Sequence, residues 1–103
     1  MTKVIFRMFH GEVLALFPEL AATVGKPHHC MSYARLGQHG AADPYGVIDE
    51  SRPATPEEYA SLKRELERIG YQLEVVQRTP RGAYSIRRKQ LERKRDASYS
   101  QVG

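Results

Sequence analysis

One stretch limits what this chain can fold into more than any other: Ser51 to Arg78, SRPATPEEYASLKRELERIGYQLEVVQR. Thr55 is followed by Pro56 and, three residues on, by Glu58, the pattern of a capping box. The Thr55 hydroxyl accepts from the Glu58 amide while the Glu58 carboxylate reaches back to the Thr55 amide. Pro56 falls at the first helical position, where its missing N–H costs nothing and its fixed φ suits the helix. Such a cap is worth about 1 kcal/mol. Tyr59, Leu62, Leu66 and Ile69 then recur at spacings that place them on one stripe of a helix. The opposite face carries Glu57, Lys63, Arg64, Glu65, Glu67 and Arg68, with Lys63–Glu67, Arg64–Glu67 and Glu65–Arg68 spaced for ion pairing. Gly70 is placed to end the helix in the left-handed conformation. Beyond it Tyr71, Leu73 and Val75 alternate with Gln72 and Glu74, the period of a strand with one buried face.

Upstream, Val4 to Phe9 and Glu12 to Phe17 are apolar runs around His10-Gly11, which signals a β-hairpin. Val4, Phe6 and Met8 share one face of the first strand, and Ile5, Arg7 and Phe9 the other. On the second, Val13, Ala15 and Phe17 oppose Leu14 and Leu16. Pro18 is expected to end the hairpin, and Glu19 to Lys26 has the composition of one helical turn. In HHCMSYARLGQ, Cys30, Ser32, Ala34 and Leu36 alternate with Met31, Tyr33 and Arg35, as in a third strand. Residues 37–44 turn to Gly, Ala and Asp and read as a loop, with Tyr45 to Asp49 a short extended piece. The expected fold is α+β: a small antiparallel sheet of about four strands, hairpin first, in the order βββαβ, with one main helix on one face. One helix covers one face only. A homodimer through the uncovered sheet face is therefore expected.

A chain of 103 residues with 41% apolar content makes one domain at most. The net charge of +4 hides an asymmetry. Residues 1–77 hold 8 Lys and Arg against 10 Asp and Glu, net −2, whereas residues 78–103 hold 8 against 2, net +6. The expectation is a folded domain over 1–78 and a basic, flexible tail over 79–103, because Ile86 and Leu91 are too few to bury a helix face. No apolar run reaches membrane-spanning length, Arg7, His10 and Glu12 interrupt the start, and Cys30 is a lone thiol. These features suggest a cytoplasmic protein that makes no membrane contact.

The segments GEVLALFPE, C-x-S-Y-x-x-x-G-Q-H-x-A-A-D and R-P-A-T-P-E-E-Y carry a resemblance, over about residues 3–78, to a family of small uncharacterised bacterial proteins found on plasmids and other mobile elements. The resemblance implies a bacterial setting and an accessory role on a mobile element. It implies no activity, cofactor or catalytic residue.

Two places are candidates for function. The polar segment offers Tyr33, Arg35, Gln38, His39 and Asp43 as a partner-binding loop. A metal site from His28, His29, Cys30 and His39 is disfavoured, because consecutive residues of a strand point in opposite directions. A small hydrolase would need Cys30 as nucleophile, His39 as base and Asp43 to orient it. In the tail, Arg81, Arg87, Arg88, Lys89, Arg93, Lys94 and Arg95, with Tyr84 interleaved, suit phosphate neutralisation on nucleic acid. The reading that results is a non-enzymatic binding or accessory protein that needs no cofactor and contacts a protein partner or nucleic acid. A nucleic-acid-associated regulator is the alternative, and the hydrolase comes third.

Overall fold

The computed structural model describes residues 1–22, 27–34 and 38–102, with side chains for all of these except residues 38 and 94–102. Among the described residues, six strands and three helices follow in the order β1 (Thr2–Phe9), β2 (Glu12–Ala21), β3 (Cys30–Ala34), β4 (Gln38–Ala42), α1 (Pro44–Asp49), β5 (Arg52–Pro53), α2 (Pro56–Arg68), β6 (Leu73–Val75) and α3 (Ala83–Val102). The fold is α+β, with a sheet ordered β4-β3-β2-β1-β5. Short β6 runs parallel to β1 at Thr2–Val4, beside the antiparallel contact of β5 at Arg7 and Met8. The expected order βββαβ is thus too short, and the sheet is larger than expected. Residues 38–42, read as loop from their small side chains, form β4 because each pairs with β3. Tyr45 to Asp49 is helical rather than extended, because Asp43 caps α1 and Pro44 opens it.

The hairpin forms as its sequence requires. His10 and Gly11 both take positive φ, 51° and 79°, which lets a two-residue turn follow the twist of its strands. Phe9 then pairs with Glu12 and Ile5 with Leu16. The two faces sort as the alternation predicts. Val4, Phe6, Ala15, Phe17 and Tyr33 join Leu62 and Leu66 of α2 in one core. Two stacked ring pairs fasten this layer, Phe6 with Tyr59 at 4.4 Å and Phe17 with Tyr71 at 4.9 Å. Ile69 departs from the expected stripe; it is the C-cap and is exposed. Both halves of the capping box are present, and Gly70 takes φ +114° just past the helix. Lys63–Glu67 forms at 2.9 Å, while the two i,i+3 pairs do not form among the described residues.

On the second face, Ile5, Leu16 and Cys30 meet Val47 of α1, with Ile48 beside them. Buried Arg7 fastens α1 by its C-terminal end. Its Nε donates to Ser51 Oγ at 2.8 Å, and its Nη2 donates to the carbonyls of Ile48 and Ser51 at 3.1 and 2.7 Å. The face expected to lie open for a homodimer is therefore covered, and a dimer no longer follows from it.

Pro18 does not end the second strand. β2 continues to Ala21, but its pairing with β3 jumps from Phe17–Met31 to Ala21–Cys30, which leaves residues 18–20 without partners on that side. Side chains from α3 fill the gap. Arg87 donates to the Pro18 carbonyl at 2.6 Å and to the Pro27 carbonyl at 2.8 Å. Gln90 donates to the Glu19 carbonyl and accepts from the Ala21 amide, both at 2.8 Å. Residues expected to be a flexible tail thus form a helix along β2, with Ala83, Arg87 and Leu91 buried at i, i+4 and i+8. An arginine and a glutamine complete the inward face, so counting apolar residues did not reveal it. The expected helical turn over Glu19 to Lys26 falls partly in β2 and partly, at 23–26, outside the described residues.

Two stability tests follow. Leaving the buried Pro18 carbonyl unpaired costs about 1–3 kcal/mol, and the part-buried Pro27 carbonyl adds less, so Arg87→Leu should lose about 2–4 kcal/mol in urea unfolding while exposed Arg88→Leu stays within about 0.5 kcal/mol. The second concerns Glu58, whose pKa falls to about 2 because the Arg52 fork bonds its carboxylate, with the Thr55 amide adding to the effect. A depressed carboxylate pKa gives stability that is complete above the unfolded value and lost as pH falls through the folded one. The stability gap between the protein and Glu58→Gln should be constant above about pH 5.5 and close between about pH 4.5 and 2, as read by melting temperature across that range.

Candidate functional site

The β3–β4 register sets His39 directly opposite Tyr33. Their rings meet edge to face at 4.7 Å. His39 Nε2 lies 3.0 Å from the hydroxyl of Tyr71, whose ring is already stacked on Phe17. Burial raises the pKa of Tyr33, and the charge and hydrogen bond of Glu65 raise it further. Burial also raises that of Tyr71. Both phenols therefore keep their protons at neutral pH. The cluster joins β3, β4, α2 and the approach to β6, with His39 as its exposed member. It can donate and accept hydrogen bonds at the surface and hold β4 against the α2 layer.

Of the five loop residues named from sequence, Tyr33 and His39 come together. Arg35 lies outside the described residues, and Gln38 opens β4 but is described for its backbone alone. Asp43 stands apart: its Oδ1 accepts from the Tyr45 amide at 3.1 Å, so it is spent on capping α1. Tyr71 and Glu65 were not among the candidates. Tyr71 alternates with Leu73 and Val75 and read as core, and Glu65 read as part of a solvated helix face.

Cys30 and His39 do not meet. Cys30 is fully buried in the second-face core, whereas His39 packs with Tyr33 on the α2 side of the sheet. Burial pushes the Cys30 thiol up to about 11, against the opposing charge of nearby Arg87. The thiol is a core group, and the hydrolase triad has no geometry to work with. His28 and His29 lie ring to ring at 4.3 Å, His28 exposed. Among the described residues, no three His, Cys, Asp or Glu side chains gather as metal ligands.

The cations expected to bind nucleic acid divide between two sides of α3. Arg87 points inward and is fully buried, so it is withdrawn from that list. Arg81, Arg88, Lys89 and Arg93 are exposed, with Arg88 3.5 Å from Glu92, while Lys94 and Arg95 are described for backbone alone. Tyr84 is also exposed, with the Arg87 guanidinium carbon 5.9 Å from its ring centre.

One further feature was not foreseen. A groove of about 640 Å³ opens between α2 and the β1–β2 turn. Leu62 is its buried lining, Met8, Val13 and Glu58 are half-buried, and Glu12 and Arg68 line it nearer the solvent. Among the described residues, no helix is long and apolar enough to cross a membrane.

The state of Cys30 can be checked directly. At pH 8 its alkylation by iodoacetamide should be more than about 100-fold slower in the folded protein than in urea, since an exposed thiol has a pKa of about 8.5. Equal rates would mean that the thiol is accessible. Comparisons of the chain with protein-family models, with curated proteins and with solved structures found no match.

Proposed function

We propose that this is a non-enzymatic binding or accessory protein, a compact α+β scaffold that acts through its surfaces. The observation that supports this reading is the separation of the reactive residue types. Cys30 is core, Asp43 is a helix cap, and His39 is engaged with Tyr71 on the other side of the sheet from the thiol. Among the described residues, the groove beside α2 and the outer face of α3 are two surfaces open to contact. An accessory role on a bacterial mobile element rests on the sequence resemblance alone.

A second reading, a nucleic-acid-associated regulator, draws support from α3. With Arg87 and Gln90 docking the helix, Arg88, Lys89 and Arg93 are left exposed along it, with Arg81 just before it. A fixed row of cations neutralises phosphates without reading base sequence. Deleting residues 79–103 would strip buried Ala83, Arg87 and Leu91 from β2, so charge reversal is the sounder test.

Two measurements separate the readings. Affinity capture from a bacterial lysate should return a protein partner that survives nuclease treatment if the first reading holds; capture that is lost with nuclease favours the second. If four cations meet phosphates, duplex binding should fall with a log–log salt slope of about −3.6, at an affinity on the order of 10⁻⁴–10⁻⁶ M near physiological salt. Arg88→Glu, Lys89→Glu and Arg93→Glu together should abolish that binding and leave the melting temperature nearly unchanged. Unchanged binding by the triple variant would remove the α3 reading.

A further inference from the structure

The two edges of the sheet are finished differently. At the β1 edge lie β5, two residues long and containing Pro53, and β6, three residues long. Short strands and a proline without an N–H are the usual means of blunting an edge. At the other edge β4 presents five residues, QHGAA, paired with β3 throughout and containing no proline, lysine or bulge. His39, Gly40 and Ala41 are exposed. Among the described residues, no main-chain hydrogen bond outside the β3–β4 ladder reaches residues 38–42. The outward N–H and C=O groups of β4 thus meet no main-chain partner among the described residues and offer a template for another strand.

We propose that β4 pairs with the β4 of a second copy of the chain, antiparallel about a two-fold axis through Gly40, so that two sheets become one. That register sets Gln38 against Ala42, His39 against Ala41 and Gly40 against itself. Like charges directly opposite each other destabilise a strand pair. This strand carries no carboxylate, ammonium or guanidinium, and each imidazole faces an alanine methyl rather than its symmetry mate. Gly40 and Ala41 add almost no side chain to hinder approach. A seam of five residues is smaller than the roughly 800 Å² per partner of a standard interface, so the dimer forms as a concentration-dependent equilibrium. This surface is distinct from the second sheet face, which α1 and α3 cover, and from the groove.

The test uses the full chain. Sedimentation equilibrium from micromolar to millimolar concentration should show the mass rising from one chain toward two. Gly40→Lys sets two ammonium groups across the axis and should hold the protein monomeric with an unaltered melting curve; its new Cβ meets only Ser32 Oγ, at an ordinary 3.5 Å. Paired residues of antiparallel strands lie about 4.5 or 5.5 Å apart between Cα atoms, within disulfide reach. Gly40→Cys should therefore form a disulfide dimer under mild oxidation much faster than Ser85→Cys on exposed α3. A protein that stays monomeric at every concentration overturns the proposal and leaves the edge to a foreign strand. So does a dimer that Gly40→Lys does not disturb, or a Gly40→Cys variant that cross-links no faster than Ser85→Cys.

Discussion

The fold depends on how two polar side chains of α3 stand in for a missing strand. Where β2 slips against β3, Pro18 and Glu19 have no ladder partner on that side, and the amide of Ala21, at the resumed pairing with Cys30, turns to a side chain. Buried main-chain groups left unpaired are costly, so a continuous sheet would be expected to end there. Instead Arg87 and Gln90 supply donors and an acceptor at hydrogen-bonding distance. The planar fork of arginine suits this better than an ammonium would, because Nε and Nη1 reach two carbonyls from separate segments, Pro18 and Pro27. The same guanidinium sits near Cys30, where its charge opposes, without overcoming, the effect of burial on the thiol.

A second arginine does the corresponding work at the other end of β1. α1 is only six residues long, too short to persist on propensity alone. Asp43 closes its start, and Arg7 gathers carbonyls at its end, where the helix dipole favours a cation. Burial lowers the pKa of Arg7, but arginine begins so far above neutrality that the charge is kept. Each half of the second face is thus held by a buried guanidinium that meets main-chain oxygen rather than a carboxylate, and the α2 face is held by apolar packing and stacked rings.

What could be read in the sequence follows that division. The α2 cap, the hairpin turn and the sorting of Val4 through Leu16 onto two faces were legible because each rests on local spacing and on apolar burial. β4 was not legible. Gln, His, Gly and two alanines have little strand preference, and they are extended because β3 offers them a ladder. α3 was hidden for another reason: its inward residues are charged or polar, and they are satisfied by oxygen atoms far away in the chain. Of the functional candidates, Tyr33 and His39 were both named from sequence, but their pairing follows from the β3–β4 register. The arrival of Tyr71 depends on how α2 crosses the sheet, and no local pattern records that.

The distance along the chain between Arg87 and Pro18 carries a consequence for how the molecule is made. The two are 69 residues apart. A chain emerging from its N-terminal end completes the hairpin and β3 early, with the slipped part of β2 still open to water. It stays open until the last helix has been added. For that interval the nascent sheet is held by local contacts alone, and such transient openness at a strand is where misassembly between neighbouring chains begins. The arginine that closes the fold is therefore also a clock, setting the moment at which the new chain ceases to be vulnerable.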